Sequence, residues 1–368
     1  MSRFHLGHAR GDDWQLAARA CAAQLAGSGG TLGFVYVTDH VADHFDDVLQ
    51  ILKQSTGVAD WTGTVGLGVL ATGSEYLDEP AVVAMTGDFA PGAYRFFSGI
   101  DSVAALKNAD LACADGAAHF AVVHADPANE DVVPLVTKLA ERMESGFVVG
   151  GLTSSRRRNL QVAGRVLEGG LSGVAFSDQI TVATRLTQGC SPIGPRRTIT
   201  QAERNIIVTI DDRPALEVFR EDIGERLSRE VEKLGGTIFV GLPIKGSDTG
   251  DYLVRHLVGI DPSNKLIAIG DYVKPGAQLM FCRRDAEAAG EDLRRMLESI
   301  QQGLFAKPRG GVYYSCLGRG ANLFGSNSEE LRTIENALGD IPIAGFFCNG
   351  EISHNRLYGY TGVLTLFV

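Results

Sequence analysis

Residues Gly310 to Ile352 read GGVYYSCLGRGANLFGSNSEELRTIENALGDIPIAGFFCNGEI, a succession of strand, glycine-rich loop, helix, strand and polar loop. Val312 to Leu317 is a β-branched and aromatic run closed by Gly318. Ser326 and Glu329 have the spacing of a capping box. Leu331, Ile334 and Leu338 follow at helical intervals, and Gly339 and Pro342 end the helix. Ile343 to Cys348 is nearly all apolar, as a strand buried on both faces requires. Polar loops leave the carboxyl ends of both strands. One carries Cys316, Gly318, Arg319, Gly320 and Asn322; the other carries Asn349, Gly350, Glu351 and His354. Open α/β sheets hold ligands beyond the carboxyl ends of their strands, so these loops form the first candidate site.

Outward from this stretch the same plan recurs. Strand, loop, helix and strand follow one another near 32–70, 120–151, 237–270 and 311–352, two copies in each half. Between the halves, Cys190-Ser-Pro-Ile-Gly-Pro195 reads as a boundary. The expected fold class is α/β with α+β character: two related domains of mixed β-sheets flanked by helices, with internal strand–helix–strand repeats. The expected domains are 28–190 and 191–368, with residues 1–27 supplying a helix, Leu16 and Leu25 inward, that packs on the first. Within this scheme Thr64 to Leu70 is one glycine-interrupted strand, Val162 to Phe176 a hairpin turning at Gly169 and Gly170, and Asp251 to Leu257 a helix. A further helix is expected to run from Pro214 to Leu234, and a final strand from Leu357 to Val368.

Composition narrows the function classes. The chain has 368 residues, 45% of them hydrophobic, and 45 glycines, which fits a globular α/β protein with many tight turns. Lys and Arg number 34 against 44 Asp and Glu, a net charge of −10 that argues against nucleic-acid binding. No apolar run reaches membrane-spanning length and the N-terminus lacks a signal-peptide core, so no membrane insertion is expected. Six scattered cysteines without a CxxC spacing point to free thiols and a cytoplasmic location.

Several segments carry a family likeness: Gly150-Gly-Leu-Thr-Ser-Ser155, Gln188 to Pro195 (QGCSPIGP), Thr200 to Phe219 (TQAERNIIVTIDDRPALEVF), Ser315 to Gly320 (SCLGRG) and Pro342 to Ile352 (PIAGFFCNGEI). Through them the chain resembles the FIST family, named for F-box and intracellular signal transduction proteins, with its FIST N and FIST C domains. The resemblance implies a sensory module for signal transduction that binds small ligands, amino acids being the usual suggestion. Members are often fused to kinase, cyclase or F-box partners. The length here leaves no room for such an output domain, so signalling is expected to pass to a separate protein.

The residue types in the two loops suit that expectation. Arg319 between two glycines can take a carboxylate through two parallel N–H bonds, while Glu351 and Asn349 can hold an ammonium or amide; together they suit a zwitterion. The competing reading is an Arg319–Glu351 bridge locking the loops, with Asn349 capping a turn. The ligand-binding set is therefore Cys316, Gly318, Arg319, Gly320, Asn322, Asn349, Gly350 and Glu351, with Gly150, Gly151, Thr153 and Ser154 as a secondary candidate loop. A guanidinium beside Cys316 would lower its thiol pKa and make it a candidate nucleophile with His354 as base, which keeps a cysteine-dependent enzyme acting on a small acyl or amide substrate as the alternative; a buried, inert thiol is the plainer reading. A protein-interaction module is the third possibility. His40 and His44, four apart among acids, have zinc-compatible spacing, but no third ligand accompanies them and no metal or cofactor is assigned. Arg156, Arg157 and Arg158 form either an anion-attracting cluster or a solvated turn.

Overall fold

The structure is a computed structural model that describes residues 4–228, 236–244 and 252–368. It is a mixed α/β fold. Two compact units are present: residues 1–187 together with 293–368, and residues 188–292. They cut the chain elsewhere than the expected 28–190 and 191–368, because strands from the C-terminal segment pair with strands from the N-terminal one.

In the larger unit, three strand–helix–strand stretches form parallel pairs. Leu32–Thr38 pairs with Asp60–Gly66, Phe120–Ala125 with Phe147–Leu152, and Gly310–Cys316 with Ile343–Cys348. The crossover helices are Phe45–Thr56, Val132–Ala140 and Glu329–Leu338, as parallel pairing requires. At the matching place in each pair the second strand carries a glycine: Gly63, Gly150 and Gly345. A Cβ there would lie 1.7, 1.8 and 1.7 Å from the carbonyl oxygens of Val35, Val123 and Tyr313 respectively, so only glycine allows the strands to approach this closely.

Each pair is the centre of a six-stranded sheet, and all three sheets are assembled alike. On one side lie two antiparallel strands: Ala81–Gly87 then Phe4–Arg10, Leu171–Phe176 then Tyr94–Ile100, and Thr361–Phe367 then Val182–Gln188. On the other side lies a hairpin that comes from a different repeat. The hairpin after Asp60–Gly66 (Gly68–Ala71 and Ser74–Leu77) joins the sheet of Ile343–Cys348. The hairpin after Phe147–Leu152 (Leu160–Ala163 and Arg165–Glu168) joins Asp60–Gly66. The hairpin after Ile343–Cys348 (Glu351–His354 and Arg356–Tyr358) joins Phe147–Leu152. The larger unit thus consists of three repeats in cyclic exchange. Residues 188–292 interrupt the chain of the third, from the last residue of Val182–Gln188 into the helix Ala286–Gln302. No helix among the described residues is long and apolar enough to cross a membrane.

All three sheets contribute to one apolar core. Equivalent positions on the first parallel strand of each repeat bring Tyr36, His124 and Tyr314 together there, with ring centroids 5.7, 6.3 and 6.2 Å apart for Tyr36–His124, Tyr36–Tyr314 and His124–Tyr314. The tyrosine hydroxyls bond at 3.0 Å. Neither nitrogen of the buried His124 has a hydrogen-bond partner among the described residues, and burial lowers its pKa to about 3, so the ring is neutral.

Several expectations are corrected. Residues 1–27 include an edge strand, Phe4–Arg10, before the helix Trp14–Gln24, whose inner face is Ala17, Ala18, Cys21 and Ala22 while Leu16 is 66% exposed. Thr64 to Leu70 is split at Leu67 between two sheets. The hairpin of 160–168 turns at Gly164; Gly169 and Gly170 lead to a strand paired elsewhere. The 237–270 stretch lies in the smaller unit and is antiparallel throughout: Ile238–Pro243 pairs with Tyr252–Asp261, which is a strand where a helix was expected. The boundary segment includes a strand, Cys190–Pro192, paired with Gln278–Arg284. The helix after Pro214 spans Ala215–Ser228, and its expected continuation to Leu234 lies outside the described residues. The terminal strand is two, Arg356–Tyr358 and Thr361–Phe367. Ser326 does not cap its helix; Ser328 occupies that place without a side-chain bond to it and instead accepts the Glu75 N–H at 2.8 Å.

Candidate functional site

The loop after Gly310–Cys316 turns at once, the Arg319 N–H bonding to the Cys316 carbonyl at 2.8 Å, and is tied to the first turn of the helix Glu329–Leu338. Gly320, at φ +52°, is packed so tightly that a Cβ would lie 2.4 Å from the Phe347 ring. This turn drives Arg319 inward, where it is fully buried. Its Nε donates to Glu330 Oε1 at 2.7 Å. The same oxygen accepts from the Tyr313 hydroxyl at 2.6 Å, and Oε2 accepts from Ser315 Oγ at 3.1 Å and the Gly320 N–H at 2.9 Å. The partner of Arg319 is therefore Glu330, and Glu351 plays a different role. The guanidinium carbon lies 5.0 Å from the Phe324 ring centroid, and Nη1 and Nη2 have no partner among the described residues.

Glu351 begins the strand Glu351–His354 and is also fully buried. Its Oε2 accepts from the Thr361 N–H at 3.1 Å and Thr361 Oγ1 at 2.8 Å, while Oε1 is unpartnered among the described residues. Burial pushes its pKa up to about 8; the Thr361 bonds, the charge of Arg319 and the nearby Cys316 thiol pull the other way without prevailing. A third carboxyl arrives from the exchanged hairpin of the first repeat: Glu75 accepts from the Leu331 N–H at 3.3 Å, and burial followed by the Glu330 charge raises it to about 7. Among the described residues the cluster thus holds one guanidinium among three carboxyl groups and leaves three polar atoms unmatched, two donors on Arg319 and one oxygen on Glu351.

The remaining candidate residues serve unlike purposes. Cys316 is half-buried at its strand end, opposite Cys348 in the parallel register. Burial, then the neighbouring Glu351 charge, pushes its thiol up to about 12, outweighing the opposite pull of Arg319, so it is not an activated thiolate. His354 lies three residues beyond Glu351, about 10 Å along an extended strand, and packs its ring against Phe147 at 4.4 Å. Gly318 packs beside the Tyr360 ring. Asn322 and Asn349 are exposed, Asn322 bonding to the Leu317 carbonyl at 3.0 Å.

The secondary loop lies beside the first. Gly150 and Gly151 are in a strand, paired with Ile352 and Glu351, and Leu152 exchanges bonds with Gly350 and Asn349 at 2.8 and 3.0 Å. Thr153 bonds to Thr64 at 3.0 Å, and Ser154 bridges the Phe347 carbonyl and the Leu67 N–H at 2.5 and 2.9 Å. A Cβ on Gly151 would lie 2.2 Å from Cys348 Sγ. These residues form the wall behind Glu351, their hydroxyls already bonded.

Elsewhere, Arg156 binds Asp39 through Nε and Nη2, both at 2.8 Å, and Asp78 at 2.6 Å. Arg157 pairs with Asp43 and Arg158 with Glu168. Asp39, His40, Arg156 and Arg157 line a cavity of about 230 Å³. His44 stacks on Trp14 at 4.3 Å while His40 faces Asp39 and Asp78, so the two imidazoles serve different neighbours.

Sequence reasoning missed Glu75, Glu330 and Thr361. Glu330 follows Glu329 at a helix start, where acids are ordinary. Glu75 reaches the site through strand exchange and Thr361 at the start of the antiparallel strand beside Gly310–Cys316, neither of which leaves a short-range signal.

Residues 31–213 match the FIST N domain and residues 215–354 the FIST C domain. The chain is 34% identical over 388 aligned positions to an uncharacterized protein of Mycobacterium tuberculosis, each covered in full. It is 31% identical over 369 positions to an uncharacterized protein of Mycobacterium bovis, with 96% of this chain and 94% of that one covered.

Proposed function

Because the chain belongs to the FIST family, whose domains are sensory modules of signal transduction, we propose that it is a small-ligand sensor whose ligand, an amino acid or related small carboxylate, is held at the Arg319 cluster. The observation that carries this is the pair of unpartnered guanidinium nitrogens on a fully buried Arg319. A buried charged donor left unmatched costs more than a neutral one, and a guanidinium edge matches a carboxylate through two parallel bonds. Glu330 fixes the guanidinium orientation, Phe324 covers it, and Glu351 stands near enough for their charges to interact. Signalling would then pass to a separate cytoplasmic output protein through the loops that close on the ligand.

A thermal-shift screen of amino acids and small carboxylates tests this, since a ligand selective for the native state raises stability by mass action. Isothermal titration of the parent and of Arg319→Lys follows. Lysine keeps the charge opposite Glu330 and loses the bidentate edge, so binding should weaken by roughly ten-fold or more, given about 1.5–3 kcal/mol for a lost hydrogen bond to a charged group. Unchanged affinity in a folded Arg319→Lys variant would move the site elsewhere.

A further inference from the structure

The hydrogen-bond inventory of the Arg319 cluster says more about its ligand than charge alone. Glu330 has no acceptor capacity to spare, since Tyr313 and Arg319 occupy one oxygen and Ser315 and Gly320 the other. Glu75 is engaged by backbone N–H groups of Leu331, Glu330 and Ala321. The carboxyl oxygen of the cluster left without a partner among the described residues is Glu351 Oε1. An ionised Glu351 would place a full charge in a completely buried site with one oxygen unmatched, which is costly. A proton on Oε1 removes that charge and leaves Oε2 free to accept both Thr361 bonds. Oε1–H is then a donor, and so are Nη1 and Nη2 of Arg319.

We propose that the site selects a carboxylate without an α-ammonium group, bound by three donors, Arg319 Nη1, Arg319 Nη2 and the Glu351 Oε1–H, a refinement that rests on the Arg319 site proposed above. An ammonium would bring three further donors and a like charge beside Arg319, with no carboxyl oxygen of the cluster left to accept them. The sequence-based assignment of Glu351 to an ammonium is replaced by its opposite, a hydrogen-bond donor to the anion.

The raised pKa of Glu351, about 8 and caused first by burial, supports a bound proton at neutral pH. The other carboxyl of the cluster that titrates in this range is Glu75, raised to about 7, which Glu351→Gln retains, so only the pH dependence that this variant removes is ascribed to Glu351. The thiols of Cys316 and Cys348 are themselves pushed up by burial and stay neutral, and Arg319 stays charged, backed by Glu330 and by Tyr313, whose pKa is also raised. Above pH 8 Glu351 loses its proton and turns from donor into a negative neighbour of the bound carboxylate, so affinity should fall toward the limit of about tenfold per pH unit for one linked proton.

The test is calorimetric titration of the full chain with matched pairs, propionate against alanine, 3-methylbutanoate against valine and 3-phenylpropionate against phenylalanine, at pH 6.5 and 9.5, in the parent, Glu351→Gln and Arg319→Lys. Three results are expected together: the plain acid of at least one pair binds ten-fold or more tighter than its amino acid, the parent loses more than ten-fold between the two pH values, and Glu351→Gln, whose amide donates at any pH and which retains Glu75, loses several-fold less than the parent. Amino acids that bind tighter than their plain acids, with binding lost in Arg319→Lys, overturn the selectivity while leaving the Arg319 site standing. Binding that is indifferent to Arg319→Lys, or no binding by either class, overturns the site as well. A folded Glu351→Gln that binds nothing at pH 6.5 overturns the donor role.

Discussion

Arg319 and His124 are both polar and both fully buried, yet they meet the penalty differently. Arg319 keeps its charge by taking Glu330, whose carboxylate is itself held by two hydroxyls and a backbone N–H. His124 has aromatic rings around it and gives up its charge. The sign of its pH effect follows. Its folded pKa, about 3, lies below the value near 6.5 expected of an unfolded chain. Between those values the unfolded state binds more protons, so stability falls as pH drops through that window. His124→Phe, which preserves a ring among Tyr36, Tyr314 and Phe346, is expected to move the acid-unfolding midpoint to lower pH, read by circular dichroism from pH 7 to 3; an unmoved midpoint would mean that other groups govern acid unfolding. At this scale the sequence was informative about which residues matter and poor at pairing them. Arg319, Glu351 and Cys316 stood out by type and position. Their partners Glu330, Thr361 and Glu75 did not, because a carboxylate at a helix start or a threonine after a turn has an ordinary local explanation.

The strand–helix–strand repeats were readable because each is a local pattern: an apolar run, a loop, a helical stripe and a second apolar run. The 237–270 stretch was misread for a related reason. Leu253, Val254, Leu257 and Val258 have helical spacing, but Tyr252–Asp261 is a strand whose neighbours on both sides are antiparallel; short apolar runs are ambiguous in period. The glycines show where backbone contact, and not chain flexibility, sets the residue. Gly345 and Gly339 bound the same strand region, one beneath the Tyr313 carbonyl and the other at φ +80° in open space. Gly339→Ala, at ψ −171° in a region essentially reserved for glycine, is expected to cost about 1–3 kcal/mol. Gly345→Ala must push its strand away from Gly310–Cys316 and should cost at least twice as much, with loss of the folded state as the extreme. Urea midpoints of the two variants decide this; equal shifts would show that the strands can move apart cheaply.

Across the whole molecule, strand pairing ties the first repeat to the third, the third to the second and the second to the first. The hydrophobic pattern neither bounded these hairpins correctly nor said which sheet would receive them, since an edge strand looks the same whatever it joins. Gly68 to Leu70 read as a continuation of the strand that begins at Thr64. Residues 1–187 alone lack the sheet for that hairpin and the strand that flanks Phe147–Leu152. We expect this fragment to show no cooperative thermal transition and to bind a hydrophobic dye, and co-expression with 188–368 to restore both the transition and a stable complex; a fragment that melts cooperatively by itself would show that the exchanged strands are dispensable. The exchange also has a consequence for the chain as it leaves the ribosome. Gly68–Ala71 is made early, and its partner around Ala344 is made near the end, with all of 188–292 translated in between. Throughout that interval a nascent strand edge stands open beside apolar neighbours, the state most exposed to wrong pairing, so translation speed and chaperone supply, as much as native contacts, set how much of this protein is recovered intact.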